Sequence, residues 1–427
     1  MSIGLLFGLF FLLVLLGVPI SICLGASTFV TLMTFTHMSP IEVSSMLFEK
    51  IDSYSLMAIP MFILAGNLLS KGSAAKRIIE FAKSLVGHLP GGLPISAIGA
   101  SIIFAAVSGS SPATVVAIGS IMFGAIMEAG YPKKYAVGTI ATAGSLGILI
   151  PPSVVLIVYG VTAETSIGRL FMAGVMPGLM IGCMMMVVTY IGARRLGFKR
   201  TEPQDFKTRL IKLKDASWGL MTIVIVMGGI YGGIFTPTEA AAVAAVWALF
   251  ISVFIYKDVK AKDLYVTILE SAKTTAMIMF IIANAMLFAH FLTLENIPQT
   301  ITQALIAIHV HKIAFLLLVN VILIIAGAFM EPSAIIMIMV PLLLPIATAL
   351  GVDPIHFGII MTVNMELGMV SPPVGLNLFV TSGLTNMSMK DVMIATLPWT
   401  ITIFVGLMLV TYVPEISLWL PNLMYGH

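Results

Sequence analysis

Charge is scarce in this sequence: only 10% of its 427 residues are Asp, Glu, Lys or Arg, against roughly 25% in a soluble domain. That excludes an ordinary water-exposed surface. Cysteine is nearly absent, and Cys23 and Cys183 both lie inside apolar segments, which argues against a disulfide pair or a metal spacing and leaves packing as their role. No GxxxxGK[ST] run occurs, so the chain does not read as a nucleotide-driven pump. No Lys or Arg precedes the first apolar run, Met1 to Leu16, and no small-residue cleavage site precedes Pro19; the segment reads as a retained helix rather than a cleaved signal. What fills the chain is apolar: 59% of residues, with a mean hydropathy of +1.08. Each crossing of a bilayer takes about 20 such residues, which leaves room for about ten or more crossings. The runs are too long for barrel strands and show no period-two alternation, so the expected fold is all-α and polytopic. The partner this composition demands is the lipid bilayer. A net charge of +3 gives no sign of a nucleic-acid partner.

The two sides of the chain carry matching punctuation. Val18-Pro19 matches Thr236-Pro237, and Phe62 with Ala65 matches Phe280 with Ala283, both at an offset of 218. Pro112 matches Pro332 at 220, and Gly147 and Pro151-Pro152 match Gly368 and Pro372-Pro373 at 221. A nearly fixed offset of this kind is the trace of a duplicated transporter. The expected organisation is a first repeat over 1–193, a basic linker over 194–215 and a second repeat over 216–427. Each repeat should hold five crossings plus a hairpin, the hairpins at about 92–129 and 313–350 and the broken helices at about 134–160 and 357–383. An odd number of crossings inverts one repeat relative to the other. Placing the linker inside puts nineteen of the 22 Lys and Arg on one face and leaves only Lys50, Arg169 and Lys312 outside, as the positive-inside rule requires. Both termini then fall on the far side, the periplasm of a bacterial inner membrane.

Four runs interrupt the apolar helices near mid-membrane: Ser108 to Pro112, Gly144 to Ser153, Gly327 to Ser333 and Glu366 to Gly375. Proline removes a donor and disfavours helix before it, and glycine admits backbone angles other residues avoid. One proline alone is merely a kink, but four paired breaks expose carbonyls that suit cations and restart helices whose N-termini suit an anion. The arrangement reads as oxygen-lined sodium sites beside a pocket for an anionic solute at the repeat interface.

Carboxylates deep in a membrane are costly and call for a role. Glu331 beside the hairpin proline and Glu366 before the second break could neutralise a cation or take a proton, or each could be tied to nearby backbone N–H groups. Asn377, Asn364, Ser153 and Thr114 lie within two turns of the breaks and could line the solute pocket, although Ser and Thr often bond their own helix. His290, His309, His311 and His356 read as helix-end or loop residues without metal-ligand spacing. The methionines read as adaptable packing.

At IPMFILAGNLL (59–69), SGSSPATVVAIGS (108–120), IPPS (150–153), LFMAGVMPG (170–178), FTPTEAAAVAA (235–245) and SPPVGLN (371–377) the sequence resembles the large membrane subunit of the tripartite ATP-independent periplasmic transporters, along essentially its whole length. The resemblance implies an elevator-type secondary carrier driven by sodium, not an enzyme, with hairpins and broken helices in a moving domain. It implies two partners, a small four-helix membrane subunit and a soluble periplasmic protein that delivers the solute. By motif, backbone groups of Ser108, Ser110, Gly147, Ile150 and Pro152 would form one sodium site, and Gly327, Met330, Gly368, Ser371 and Pro373 the other. Relatives often carry Asp where this chain has Glu331, and some carry an acid where it has Thr114. The cargo is expected to be an organic acid, sialic acid or a C4-dicarboxylate, with a slight lean to sialic acid. Two other readings are a self-sufficient sodium:dicarboxylate carrier, for which the hairpin tips have no Ser-Asn-Thr, and an intramembrane enzyme, for which no nucleophile or metal set is visible.

Overall fold

Helix accounts for every regular element in the computed structural model, which describes residues 2–200, 202–307 and 311–426, without the side chains of 304–307 and Tyr425. The first half runs α1 (Ser2–Leu15), α2 (Ile20–Phe35), α3 (Pro40–Ile51), α4 (Ala58–Lys71), α5 (Ala74–Val86), α6 (Gly92–Ser108), α7 (Ser111–Glu128), α8 (Lys133–Ala143), α9 (Val154–Thr162) and α10 (Ile167–Arg195). The second runs α11 (Phe206–Tyr231), α12 (Pro237–Phe250), α13 (Ala261–Leu294), α14 (Ile297–Ala307), α15 (Lys312–Phe329), α16 (Pro332–Ala349), α17 (Pro354–Met369), α18 (Leu376–Thr385), α19 (Met389–Tyr412) and α20 (Glu415–Tyr425). Among the described residues, eight helices are long and apolar enough to span a membrane, and four shorter apolar ones accompany them. The protein is a polytopic all-α membrane protein.

The two halves can be laid side by side element by element. The hairpin α6–α7 corresponds to α15–α16, and the broken pair α8/α9 to α17/α18. Two differences stand out. α20 has no counterpart in the first half, and the segment that the offset of 218 sets against α3 is the start of α13, where the helix runs on without a break. A third difference concerns the linker: α10 runs to Arg195 and α11 starts at Phe206, so only 196–205 lies between helices and Lys207 to Asp215 form the basic first turns of α11.

Packing follows side-chain size. Buried Ala240, Ala241, Ala244, Ala245 and Ala248 give α12 a small-residue face against α4, the contact that lets membrane helices approach closely where no hydrophobic force drives them together. These helices pack with α2 and α13, and the hairpins, the broken helices, α10 and α19 pack with one another, with α13 lying against α16 between the two groups. Among the described residues four ion pairs form, Lys71–Glu270, Lys83–Glu80, Lys212–Glu80 and Lys134–Asp391, all with lysines that the positive-inside count groups together, and Arg77 lies 4.3 Å from the centre of the Tyr256 ring. At the other end Arg169 donates to Asn422 at 3.2 Å.

Cys23 is buried and Cys183 exposed on α10. His356 sits in the first turn of α17, at a helix end as expected, but it is buried rather than solvated: it is 1% exposed and its Nδ1 lies 2.6 Å from Ser417 Oγ, because α20, unforeseen, folds over that end of α17. His290 and His311 do sit near helix ends. His309 lies outside the described residues.

Candidate functional site

Each hairpin turns within two residues. In the first, Gly109 adopts φ +60° after α6, and Ser110 leads into α7 with Pro112 in its first turn. In the second, Met330 and Glu331 separate α15 from α16, and Pro332 opens the new helix. A proline near a helix start loses no bond, because its N–H would have been orphaned there.

The broken helices meet these tips backbone to backbone. A Cβ on Gly147 would fall 2.6 Å from the Ser110 carbonyl oxygen, and one on Gly368 would fall 2.6 Å from Gly327 Cα. Only a residue without a side chain admits such an approach. Hydrogen bonds then close each junction. Val154 N–H donates to Gly109 O at 3.5 Å, while Val374 and Gly375 N–H donate to Ala328 O at 3.2 and 3.3 Å. Both double prolines, Pro151-Pro152 and Pro372-Pro373, have cis peptide bonds. The halves differ in detail. The first break winds through a 3₁₀ turn at Gly144–Ile148 and is wholly buried, whereas α17 stays helical to Met369 and Pro372, Pro373 and Val374 are exposed.

The proposed cation ligands are therefore grouped in two places. Ser108, Ser110, Gly147 and Pro152 come together: Ser108 Oγ and Thr114 Oγ1 are 2.9 Å apart, Thr114 donates to Ser110 O at 2.8 Å, and Gly109 lies against Pro152 O. Ile150 adds backbone only, since its side chain packs on Gly178. Gly327, Gly368 and Ser371 meet in the second half, where Ser371 O faces Gly375 and Ser371 Oγ is spent on Leu367 O at 2.7 Å. Met330 and Pro373 flank that junction in sequence. Among the described residues no three His, Cys, Asp or Glu side chains gather as a metal set. A donor set made of carbonyl and hydroxyl oxygens fits a hard cation of low charge rather than a transition metal.

Between the two hairpin tips lies a cavity of about 290 Å³, near the lower end of ligand pockets, roughly 300–1,000 Å³. Its walls are the α7 start (Ser110 to Ala113), the α16 start (Glu331 to Ser333) and Leu376 at the start of α18, faced by Asn67 of α4 and Thr274 of α13. With the start of α9 at Val154 and Val155, which Ser153 caps, four helix N-termini border one space. They are not equivalent. Glu331 caps α16, accepting from Ala334 N–H at 3.1 Å and from Ser333 Oγ at 2.9 Å, so that end is already occupied by a carboxyl group. Neither Ser110 nor Gly375 caps its helix through a side chain. The uncapped starts of α7 and α18 are tied together by Ser111 and Asn377, whose side chains exchange bonds at 2.8–2.9 Å. Free N–H groups and aligned dipoles favour an anion there.

Of the expected solute contacts, only Glu331 lines the cavity. Thr114 supports the first tip, and Asn377 reaches the cavity through Ser111. Ser153 caps α9 through Leu156 N–H at 3.4 Å and donates to Ile148 O. Asn364 is fully buried, donating to Asn320 Oδ1 and Ile360 O, both at 2.8 Å. Glu366 is fully buried as well; one oxygen accepts from Ser145 at 3.0 Å, and the other has no partner among the described residues. Residues not singled out from sequence include Asn67, which donates to Ser271 Oγ at 2.9 Å, and Thr274. Their signal was the rarity of polar residues in apolar helices.

The model of the family described as "Tripartite ATP-independent periplasmic transporter, DctM component" matches residues 7–416. The chain belongs to this family. It is 49% identical to the C4-dicarboxylate TRAP transporter large permease protein DctM of Rhodobacter capsulatus, over 99% of this chain and 100% of that one. It is 36% identical to the sialic acid TRAP transporter large permease protein SiaM of Vibrio cholerae, over 88% of each. Among solved structures, the YdaH transporter of Alcanivorax borkumensis aligns with a TM-score of 0.68 over 90% of this chain and 91% of that one; at 13% identity it shows a shared fold. Membership makes the chain the large permease subunit of a bacterial TRAP transporter, working with a substrate-binding protein and a small membrane subunit.

Proposed function

We propose that the chain is the sodium-coupled carrier of a C4-dicarboxylate, taken from a periplasmic binding protein and moved by an elevator motion. The observation that carries this reading is the cavity between the hairpin tips, with the paired, uncapped starts of α7 and α18 on one wall and an oxygen-rich backbone junction behind each tip. One carboxylate of the solute would sit on the Ser111–Asn377 side. Sodium would occupy the two junctions, where its charge offsets the solute's and that of Glu331. The greater identity to the dicarboxylate relative than to the sialic acid relative, together with a small cavity, moves the expected cargo from the sugar acid to the smaller one. A dicarboxylate fits roughly 290 Å³ with room for water.

The two repeats are inverted in this account, with both termini periplasmic, in the bacterial inner membrane. Asn67 and Thr274 on the cavity's outer wall lie about one turn from the Lys71–Glu270 pair on the basic face, which puts the cavity nearer the cytoplasmic side in this account. The body of α2, α4, α12 and α13 is the fixed scaffold and carries the four-helix subunit. A self-sufficient dicarboxylate carrier is the second reading; for an intramembrane enzyme, the acid that meets a hydroxyl at the cavity, Glu331 with Ser333, is engaged in capping α16. The test is competition. In proteoliposomes holding this chain and its small subunit, supplied with the partner binding protein, excess succinate should abolish uptake of labelled succinate and sialic acid should leave it unchanged; the reverse pattern would overturn the assignment.

A further inference from the structure

A second pair of hollows lies on the outer face of the hairpin body, away from the solute cavity. One, of about 640 Å³, opens at the basic end between α8, α10 and α19. The other, about 510 Å³, continues along α10 and α19, and Val188 belongs to both. From Met180 to Arg195 the α10 wall rises 15 residues, about 22 Å at 1.5 Å each. Half a bilayer with its headgroups is about 20–22 Å. The groove therefore runs one leaflet deep. Beyond it α20 packs on α10, with Arg169 bonded to Asn422, so the uncovered length stops near mid-membrane.

Its two ends differ chemically. Deep in the groove the walls are Met, Val and Ile side chains, including Val187 and Ile401, both more than half exposed. At the mouth stand Lys134 and Arg195. Lys134 is held 3.6 Å from Asp391, while Arg195 has no acidic partner among the described residues, and Lys133, Arg194, Lys199 and Arg200 add to the local positive charge. Between mouth and depth the floor is fixed. Tyr135 OH donates to Thr189 O, Trp399 Nε1 donates to Thr189 Oγ1 at 2.8 Å, and the two rings meet edge to face at 5.3 Å. Gly192 permits this seat, since a Cβ there would come 3.0 Å from the Tyr135 ring. The buried Trp399 and half-buried Tyr135 brace α8, α10 and α19 against one another beneath the groove.

We propose that this groove is a specific site for one anionic phospholipid of the leaflet on the basic side, its phosphate at Arg195 and Lys134 and an acyl chain lying between α10 and α19. A helix of a partner subunit suits the groove less. A spanning helix needs the full thickness of about 30 Å, and the positive end offers it no counter-charge, whereas basic pockets between membrane helices on this side are suited to anionic headgroups. Because the site joins α8, α10 and α19 of one body, its lipid would travel with that body.

The test is native mass spectrometry of the full chain, delipidated and titrated with phosphatidylglycerol, with phosphatidylcholine of the same acyl chains, or with sodium phosphate alone. One phosphatidylglycerol should bind about tenfold more tightly than phosphatidylcholine. Arg195→Glu should erase that preference, and Val188→Trp, which fills the groove, should weaken both lipids at least tenfold. Ile394→Trp at the mouth, 52% exposed, serves if Val188→Trp does not fold. Equal binding of the two lipids, a preference that survives Arg195→Glu, lipid binding untouched by the tryptophans, or displacement of phosphatidylglycerol by phosphate alone would each overturn the proposal.

Discussion

Gly147 and Gly368 show how a single residue type sets the site. Each lets a broken helix lie against a hairpin backbone with no side chain between them, and each was legible in the sequence as half of a pair at constant offset. Adding a methyl group at either contact forces backbone apart, where overpacking typically costs about 1–3 kcal/mol. Gly147→Ala and Gly368→Ala should each cut sodium-driven uptake at least tenfold while leaving the protein in the membrane, and Gly124→Ala, which meets nothing within 4 Å, should leave uptake unchanged. Comparable uptake in all three would show that the close junctions do not matter to transport. Glu331 is the residue for which pattern alone could not decide between a cap and a functional carboxylate. Its oxygens cap α16 while the residue also lines the cavity, so the structure leaves it placed for both. Glu331→Gln keeps an acceptor for the cap and removes the charge; the sodium concentration for half-maximal uptake should rise about tenfold, and an unchanged sodium dependence would assign the residue to capping alone.

Helices and their breaks were readable wherever glycine and proline interrupt an apolar run, since those residues act through the backbone itself. The second break proved shorter than its sequence suggested, because Glu366, Leu367 and Met369 are good helix formers and hold α17 together past Gly368. The first, with Gly144, Ser145 and Gly147 close together, has no such support. Helices α3 and α20 escaped notice because they are short and amphipathic and α20 falls outside the duplication, although Ser39-Pro40-Ile41-Glu42 carries the capping box that starts α3. Charge hid the beginning of α11 in the same way. What no periodicity could reveal was the pairing of elements across halves, such as Ser111 on α7 with Asn377 on α18. Removing one partner leaves a buried amide unsatisfied, so Ser111→Ala and Asn377→Ala should be non-additive. A double-mutant cycle on thermal unfolding should return a coupling of about 0.5–1.5 kcal/mol, and strict additivity would mean the two helix starts are not linked through that bond.

For the molecule as a whole, two bodies of helices enclose one small cavity, and the described ion pairs gather on the basic face. The account makes that cavity a shared site for a dicarboxylate and sodium, and makes the chain one of three components. Sidedness follows from it: a single cysteine replacing Lys207 on α11 should react with a membrane-impermeant thiol reagent only after cells are opened, and one replacing Glu295 should react in intact cells. Labelling of both from outside would refute the orientation. The decisive measurement is succinate uptake into proteoliposomes containing this chain and its small subunit, with the loaded binding protein outside and a sodium gradient imposed inward. The account predicts accumulation that requires all three proteins and collapses when the gradient is dissipated; uptake by this chain alone, indifferent to sodium, would contradict it.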